Sequence, residues 1–295
     1  MEIGGTLIDD TFAEAFRMRY VRLLVTAHDE YWLDAAVREF TGYSSSIISC
    51  DSEIGLERSI PPAETPDGRL GAALLVFGFS PEALAAVVPN RTGQCLMTCP
   101  TTAVFDGLLT GEKRIGLGKT IRYFGDGFQK SKLIGGRRFW RIPVMDGEFV
   151  VESMVHVEKG VGGGNIIIQG TTQALALEAA RRAIRTIAAL PGVITPFPGG
   201  VARSGSKVGS QYKTLKASTA EAFCPTLRGR VESKLADGAN AAYEIVIDGI
   251  DEASVARAMA DGIRAAAGSG IVAITAGNYG GKLGKFHFHL RELIK

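Results

Sequence analysis

Three glycine-rich stretches carry the residues best suited to chemistry, and two of them approach a phosphate-holding signature. In "PFPGGVARSGSKVGSQ" (196–211), Gly200 and Gly205 bracket four residues and Ser206 and Lys207 follow. That nearly reproduces two glycines, then Lys, then Ser or Thr, with serine and lysine in the wrong order. A nucleotide loop must also hand over to a helix whose free amides face the anion. Here "VGSQYKTLKASTAEAFCPT" follows, with no sustained apolar period, and reads as a long irregular surface loop. Such loops are uncommon unless functional, and Phe197, Tyr212 and Phe223 argue against a floppy linker. "TAGNYGGKLGKFHF" (275–288) leaves three residues between Gly277 and Gly281 and places a leucine after Lys282, so it also fails as a nucleotide loop. Its backbone suits an anion-holding nest beside Lys282. In "YFGDGFQ" (123–129), Asp126 between Gly125 and Gly127 reads as a tight turn first and a ligand group second.

Metal and nucleophile patterns are weak. Cys95 and Cys99 in "QCLMTCPT" are spaced three apart, matching neither a redox pair nor the usual zinc-finger spacing, and read as buried thiols. His287 and His289 alternate with Phe286 and Phe288 and so share one face of a strand, but no third ligand lies nearby in sequence. There is no GxSxG elbow, and His28 and His156 have no motif around them.

Composition narrows the class. The chain has 295 residues, 46% of them hydrophobic, enough for two modest lobes. Its 33 basic and 31 acidic residues give a formal charge of +2 without like-charge runs, which argues against nucleic acid as a partner. The amino terminus lacks a basic start followed by an apolar run, and the longest apolar segment, 71–79, is too short to cross a bilayer. Four cysteines are too few for a disulfide scaffold and fit a reducing compartment, so a cytoplasmic protein is expected.

The elements that must position these loops follow an alternation repeated four times. "YVRLLVTAH" leads into "DEYWLDAAVREFTG" and then "SSIISC"; "AALLVFGF" leads into "SPEALAAVV" and then "GQCLMTC". The second half has "NIIIQG", "TTQALALEAARRAIRTIAALPG" and "VITPF", then "AYEIVIDG", "IDEASVARAMADGIRAAAGSG" and "IVAITAG". Each triplet reads as strand, amphipathic helix, strand. Ser80 and Thr171 or Thr172 are expected helix starts, and glycines at 42, 192 and 268 to 270 expected stops. The expected fold class is α+β, two ferredoxin-like (split βαβ) lobes in tandem. A doubly wound sheet would want more helices and a nucleotide loop feeding one. Pro143 and the turn dipeptide Asp146-Gly147 place the boundary between residues 1–146 and 147–295. Within "AYEIVIDG", Tyr243, Ile245 and Ile247 fall on one face of the strand, Glu244 and Val246 on the other.

Read together, the segments "IDDTFAEAF", "PPAETPDGR", "GQCLMTCPT", "FGDGFQ", "PFPGG", "SKVGS", "STAEAFCPT", "YEIVIDG" and "AGNYGGKLG", in this order along the whole chain, resemble the formylmethanofuran:tetrahydromethanopterin formyltransferase family. The resemblance implies formyl transfer between two C1-carrier coenzymes, tetrahydromethanopterin and a methanofuran-type coenzyme, both substrates, with no prosthetic group. It implies a homo-oligomer and places the family's active-site glutamate at Glu244. Through it, Phe197, Gly199, Gly200, Ser206 and Lys207, then Gly125, Asp126 and Gly127, then Asn278 and Lys282 become expected coenzyme-binding residues, with Lys207 meeting an acidic coenzyme tail. Archaeal members are rich in acidic residues, whereas this chain is balanced, which suits the methylotrophic branch and its formyl-hydrolase complex subunits. Two roles stay open for Glu244: donating to the oxyanion of a tetrahedral intermediate, or shuttling a proton from attacking to leaving amine. Rival readings are a non-catalytic pterin-binding or scaffolding subunit and a nucleotide-binding protein, the second disfavoured by both failed phosphate loops.

Overall fold

The computed structural model describes all residues, 1–295. Its Cα packing forms two compact units, one of residues 1–17 with 161–295 and one of 18–160. The dipeptide Asp146-Gly147, expected between the lobes, closes a hairpin inside the second unit, where Arg137–Val144 pairs antiparallel with Gly147–Glu152.

In the unit 18–160, residues 19–27 of the strand Phe12–Ala27 pair with Leu70–Gly78 on one side and, through 23–26, with Ala103–Asp106 on the other; Glu53–Ile60 flanks Leu70–Gly78. All these pairings are antiparallel. The helices Glu30–Thr41 and Pro81–Arg91 start where side-chain oxygens take up free helix N–H groups: Asp29 accepts from Trp32 N and Ser80 from Ala83 N. Both cover the face carrying Val21, Leu23, Val25, Leu74 and Val76.

Two expected strands of this unit are not strands. In "SSIISC" the Ser46 carbonyl accepts the N–H groups of Ser49 and Cys50, making a turn, and the strand begins only at Glu53. "GQCLMTC" continues the preceding helix as a π-helical turn, Thr92–Leu96, with Met97 N donating to Thr92 O at 2.8 Å; the next strand is Ala103–Asp106. Short apolar runs have no period long enough to separate a buried helical turn from a strand. Cys95 on this turn and Cys99 just after it are half-buried, and burial pushes both thiols up.

In the unit of 1–17 and 161–295, the C-terminal part of Met154–Gly170 is central. Ala241–Gly249 and Ile271–Thr275 pair antiparallel on its two sides, Val193–Ile194 extends the first edge, and Thr6–Ile8 joins the second in parallel. The helices Gln173–Ile187 and Glu252–Ala266 begin at Thr172 and Asp251, whose side chains accept from Leu175 N and Ser254 N. Ala179, Ala180, Ala183, Ala258 and Met259 pack with Ile166, Ile168, Ile245 and Ile247 of the sheet. All four isoleucines point to that face; the intervening residues point away from it. "VITPF" pairs only through Val193 and Ile194, since Pro196 has no N–H to offer a ladder.

Candidate active site

Glu244 sits on the sheet face turned away from the helices. Register places it opposite Ile167, and Ile167 in turn opposite Thr275, so strand period sets Asn165, Ile167, Glu244, Val246 and Thr275 on one surface. The free edge of its strand is clamped by Ala202, which exchanges both backbone hydrogen bonds with Glu244 at 2.8 and 3.1 Å. Val193–Ile194 holds the same edge at Gly249 and Asp248. Residues 195–201, containing "PFPGG", therefore arch out from the strand that carries Glu244. Gly199 and Gly200 turn the arch with φ of 62° and 79°, and a Cβ at Gly200 would collide with Ile184.

The Glu244 side chain is half-buried, open to solvent only in part, and burial pushes its carboxyl up from 4.5 to about 7, with no ion pair or hydrogen bond opposing it. Its neighbours come from a loop distant in sequence. A Cβ added to Gly277 would stand 3.8 Å from Glu244 Oε1 and 3.4 Å from Asn165 Oδ1. Asn165, 6% exposed, fixes that backbone: its Oδ1 accepts from Gly277 N at 2.6 Å and its Nδ2 donates to Gly277 O at 3.1 Å. Two residues on, Tyr279 brings its phenol into the field of Glu244. Burial first, then the Glu244 charge, pushes the phenol up, while a hydrogen bond from the Ser206 side chain opposes the rise.

The glycine loop is a nest, as its composition suggested, but the anion in it belongs to the chain. Glu14, 1% exposed, accepts from Tyr279 N at 2.7 Å, Gly281 N at 2.9 Å, Leu283 N at 2.6 Å and Gly284 N. Burial pushes this carboxyl up, and the four N–H groups outweigh burial to hold it below the ordinary carboxylate range. Gly280 and Gly281, with φ of 71° and 72°, wind the loop around it. The nest is therefore filled from within and not open to a ligand anion beside Lys282. Asn278 also works within the loop, donating to Thr11 Oγ1 and Phe12 O at 3.2 and 3.1 Å, while Lys282 is exposed.

The opening stretch is likewise more ordered than an irregular loop. Lys207-Val208 pairs with Ala217-Ser218 in a small hairpin, and Lys207 forms an ion pair with Glu221, whose carboxyl that bond lowers. Ser206 directly precedes the hairpin, and its side chain acts on the Tyr279 phenol. Thus Glu244, Ser206 and the Gly277–Tyr279 segment come together within one unit, with the Phe197–Gly200 arch on the same strand edge. Gly125, Asp126 and Gly127 lie in the other unit, where Asp126 adopts φ 48° and Gly127 N donates to Gln129 Oε1, a tight turn. His287 and His289 are both exposed, flanking the buried Phe288.

Sequence reasoning missed Tyr279, Asn165 and Glu14. A tyrosine inside "GNYGG" was the one available signal for the first; nothing local marks the other two. It also missed the pair formed in the unit 18–160 by His156 Nδ1 and the buried Asp106 at 2.5 Å.

Both halves of the chain match known proteins. Residues 1–144 match the family described as formylmethanofuran-tetrahydromethanopterin formyltransferase, and 147–293 match its proximal lobe. The chain belongs to this formyltransferase family. A family member from Methylococcus capsulatus, a formylmethanofuran–tetrahydromethanopterin formyltransferase, is 53% identical over the full length of both chains. A subunit of the formyltransferase/hydrolase complex of Methylorubrum extorquens is 46% identical over 99% of this chain and 97% of its own. Among solved formyltransferases, that of Methanosarcina barkeri superposes with a TM-score of 0.94 at 47% identity, covering 99% of this chain and all of its own. A chain of the Methylorubrum extorquens formyltransferase/hydrolase complex, solved with methylofuran, gives 0.97 at 45% identity, covering all of this chain and 99% of its own. The mixed α/β architecture, a large sheet with helices, is thus that of the formyltransferases.

Proposed function

We propose that this chain transfers a formyl group between N5 of tetrahydromethanopterin and the amine of a methanofuran-type coenzyme, with Glu244 moving the proton. The observation that carries the assignment is a carboxyl held near pH 7 by burial, partly open to solvent, on a strand edge beside the "PFPGG" arch. A group titrating near neutrality is suited both to accept a proton from an attacking amine and to return it to the leaving one. Membership of the family supports the choice of coenzymes, which are substrates rather than resident groups. Most of the rate would come from holding the two coenzymes together, the role we assign to Phe197, Gly199, Gly200, Ser206, Lys207, Asn278 and Lys282, and to the Gly125–Gly127 turn.

The strand orders support reading each lobe as ferredoxin-like. With Thr6–Ile8 and Gly147–Glu152 set aside as edge additions, the four strands of each lobe, counted in chain order, run fourth, first, third, second, with two helices on one face. Along the sequence we place the lobe boundary at 146/147, between the two family matches, while in the packed fold the hairpin across it belongs with residues 18–160. Kinship with a member of the Methylorubrum extorquens complex supports assembly with hydrolase subunits, and we assign the protein to the cytoplasm as a homo-oligomer. No helix is long and apolar enough to cross a membrane.

The test is formyl transfer from formyl-tetrahydromethanopterin to a methanofuran-type coenzyme by the purified protein and by Glu244→Gln. Transfer by the first and a loss of about a hundredfold or more in the second is expected. A folded wild type that binds both coenzymes without transferring the group would overturn the assignment in favour of a binding or scaffolding subunit.

A further inference from the structure

Four glycines stand in "AGNYGGKLG", and the fold itself calls for three of them. Gly280 and Gly281 take φ of 71° and 72°, which a side chain resists. A Cβ at Gly284 would lie 2.6 Å from both Ala15 O and Glu14 Cγ. Gly277 has neither reason. Its φ lies outside the left-handed region. A Cβ there would meet nothing nearer than Asn165 Oδ1 at 3.4 Å, followed by Asn165 Nδ2 and Glu244 Oε1 at 3.8 Å, all ordinary van der Waals separations. The backbone around it is also fixed. Gly277 N donates to Asn165 Oδ1 at 2.6 Å, and Gly277 O accepts from Asn165 Nδ2 at 3.1 Å and from Glu14 N at 3.3 Å. With both its peptide groups held by two different strands, the bare Cα side of Gly277 is presented to the Glu244 carboxyl.

We propose that Gly277 is a specificity-determining residue of the transfer: the volume its missing side chain leaves beside Glu244 is the seat of the formyl group. The inference rests on the transferase reading above. To take a proton from one amine nitrogen and return it to the other, the Glu244 carboxyl must come within about 2.6–3.2 Å of each. Both nitrogens are bonded to the same formyl carbon in the tetrahedral intermediate. Adding one C–N bond to that reach puts the carbon roughly 3.5–4 Å from the carboxyl oxygen. A Cβ at 277 would stand at 3.8 Å from Glu244 Oε1, in the same shell. Glycine is the residue that lets a backbone approach a ligand this closely, and because Asn165 and Glu14 hold the segment in place, a side chain at 277 would take the space rather than swing out of it.

The experiment compares the full chain with Gly277→Ala in three measurements. Thermal unfolding should show the variant melting at or above the wild-type temperature, since alanine fits this backbone and gives up less entropy on folding. Its kcat/KM for formyl transfer should fall by about 10- to 200-fold, the range for one carbon too many in a fitted pocket. Calorimetric Kd values then assign the role: formyl-tetrahydromethanopterin should bind more weakly by about 10-fold or more, and tetrahydromethanopterin itself within about threefold of wild type. A variant that melts lower or fails to fold overturns the proposal, because packing then calls for the glycine. Transfer within about threefold of wild type also overturns it, as does an equal change in the two Kd values, which would make Gly277 a contact of the coenzyme body. A folded wild type that binds both coenzymes without transferring the group overturns the transferase reading itself, whereas an active wild type with an equally active Gly277→Ala overturns only the role of Gly277.

Discussion

Replacing Glu244 by Gln should make the protein more stable at alkaline pH and leave it unchanged in acid. Burial raises the carboxyl from 4.5 to about 7 in the fold, so between those values the folded chain binds a proton that the unfolded chain has released. The unfolded state then holds fewer protons, and stability falls as pH rises. The contribution is intact below about pH 4.5 and fully lost above about pH 7. Integrated, the wild-type penalty grows from near zero at pH 4 to about 3 kcal/mol at pH 8, using about 1.4 kcal/mol per tenfold change in proton affinity. Glutamine has the same shape and no proton to lose. Urea midpoints of wild type and Glu244→Gln, measured at pH 4, 6 and 8, should coincide at the first and separate progressively in favour of the variant. A gap that is constant across pH, or that opens towards acid, would refute the claim that burial governs this carboxyl. It would also remove the physical basis for a base poised near neutrality.

Glu14→Gln should destabilise the protein by about 2–4 kcal/mol, because an amide matches four charge-assisted backbone donors poorly. The cost should appear at neutral pH and shrink as wild-type Glu14, held below its ordinary range, is itself protonated in acid; denaturant titration at two pH values checks it. Gly200→Ala should cost about 1–3 kcal/mol, since its φ of 79° disfavours a side chain and the new Cβ meets Ile184; thermal unfolding reads this directly. Lys207→Ala should change stability by less than about 1 kcal/mol, because its ion pair with Glu221 is solvent-exposed. Its KM for one coenzyme should rise, and unchanged kinetics with both would remove Lys207 from the binding surface.

The sequence alone determined what repeats and what alternates. The helices beginning after Asp29, Ser80, Thr172 and Asp251 carry their own caps and apolar stripes, and the strands they join are β-branched runs, so local chemistry fixes both. The same alternation sent Ile245 and Ile247 to the helix-covered face and Glu244 to the other. Where the pattern was too short, in "SSIISC" and "GQCLMTC", turn and π-helical hydrogen bonds overrode it. Only the tertiary structure decided which anion fills the glycine nest, because Glu14 lies 265 residues before the Tyr279 amide it binds. It also decided that Lys207 has a partner in Glu221 and that the charge of Glu244 reaches the Tyr279 phenol. The acidity of Glu244 belongs to the same class. A strand's period says which way a side chain points, but only the chain packed over that face removes the water that would keep the carboxyl near its ordinary value.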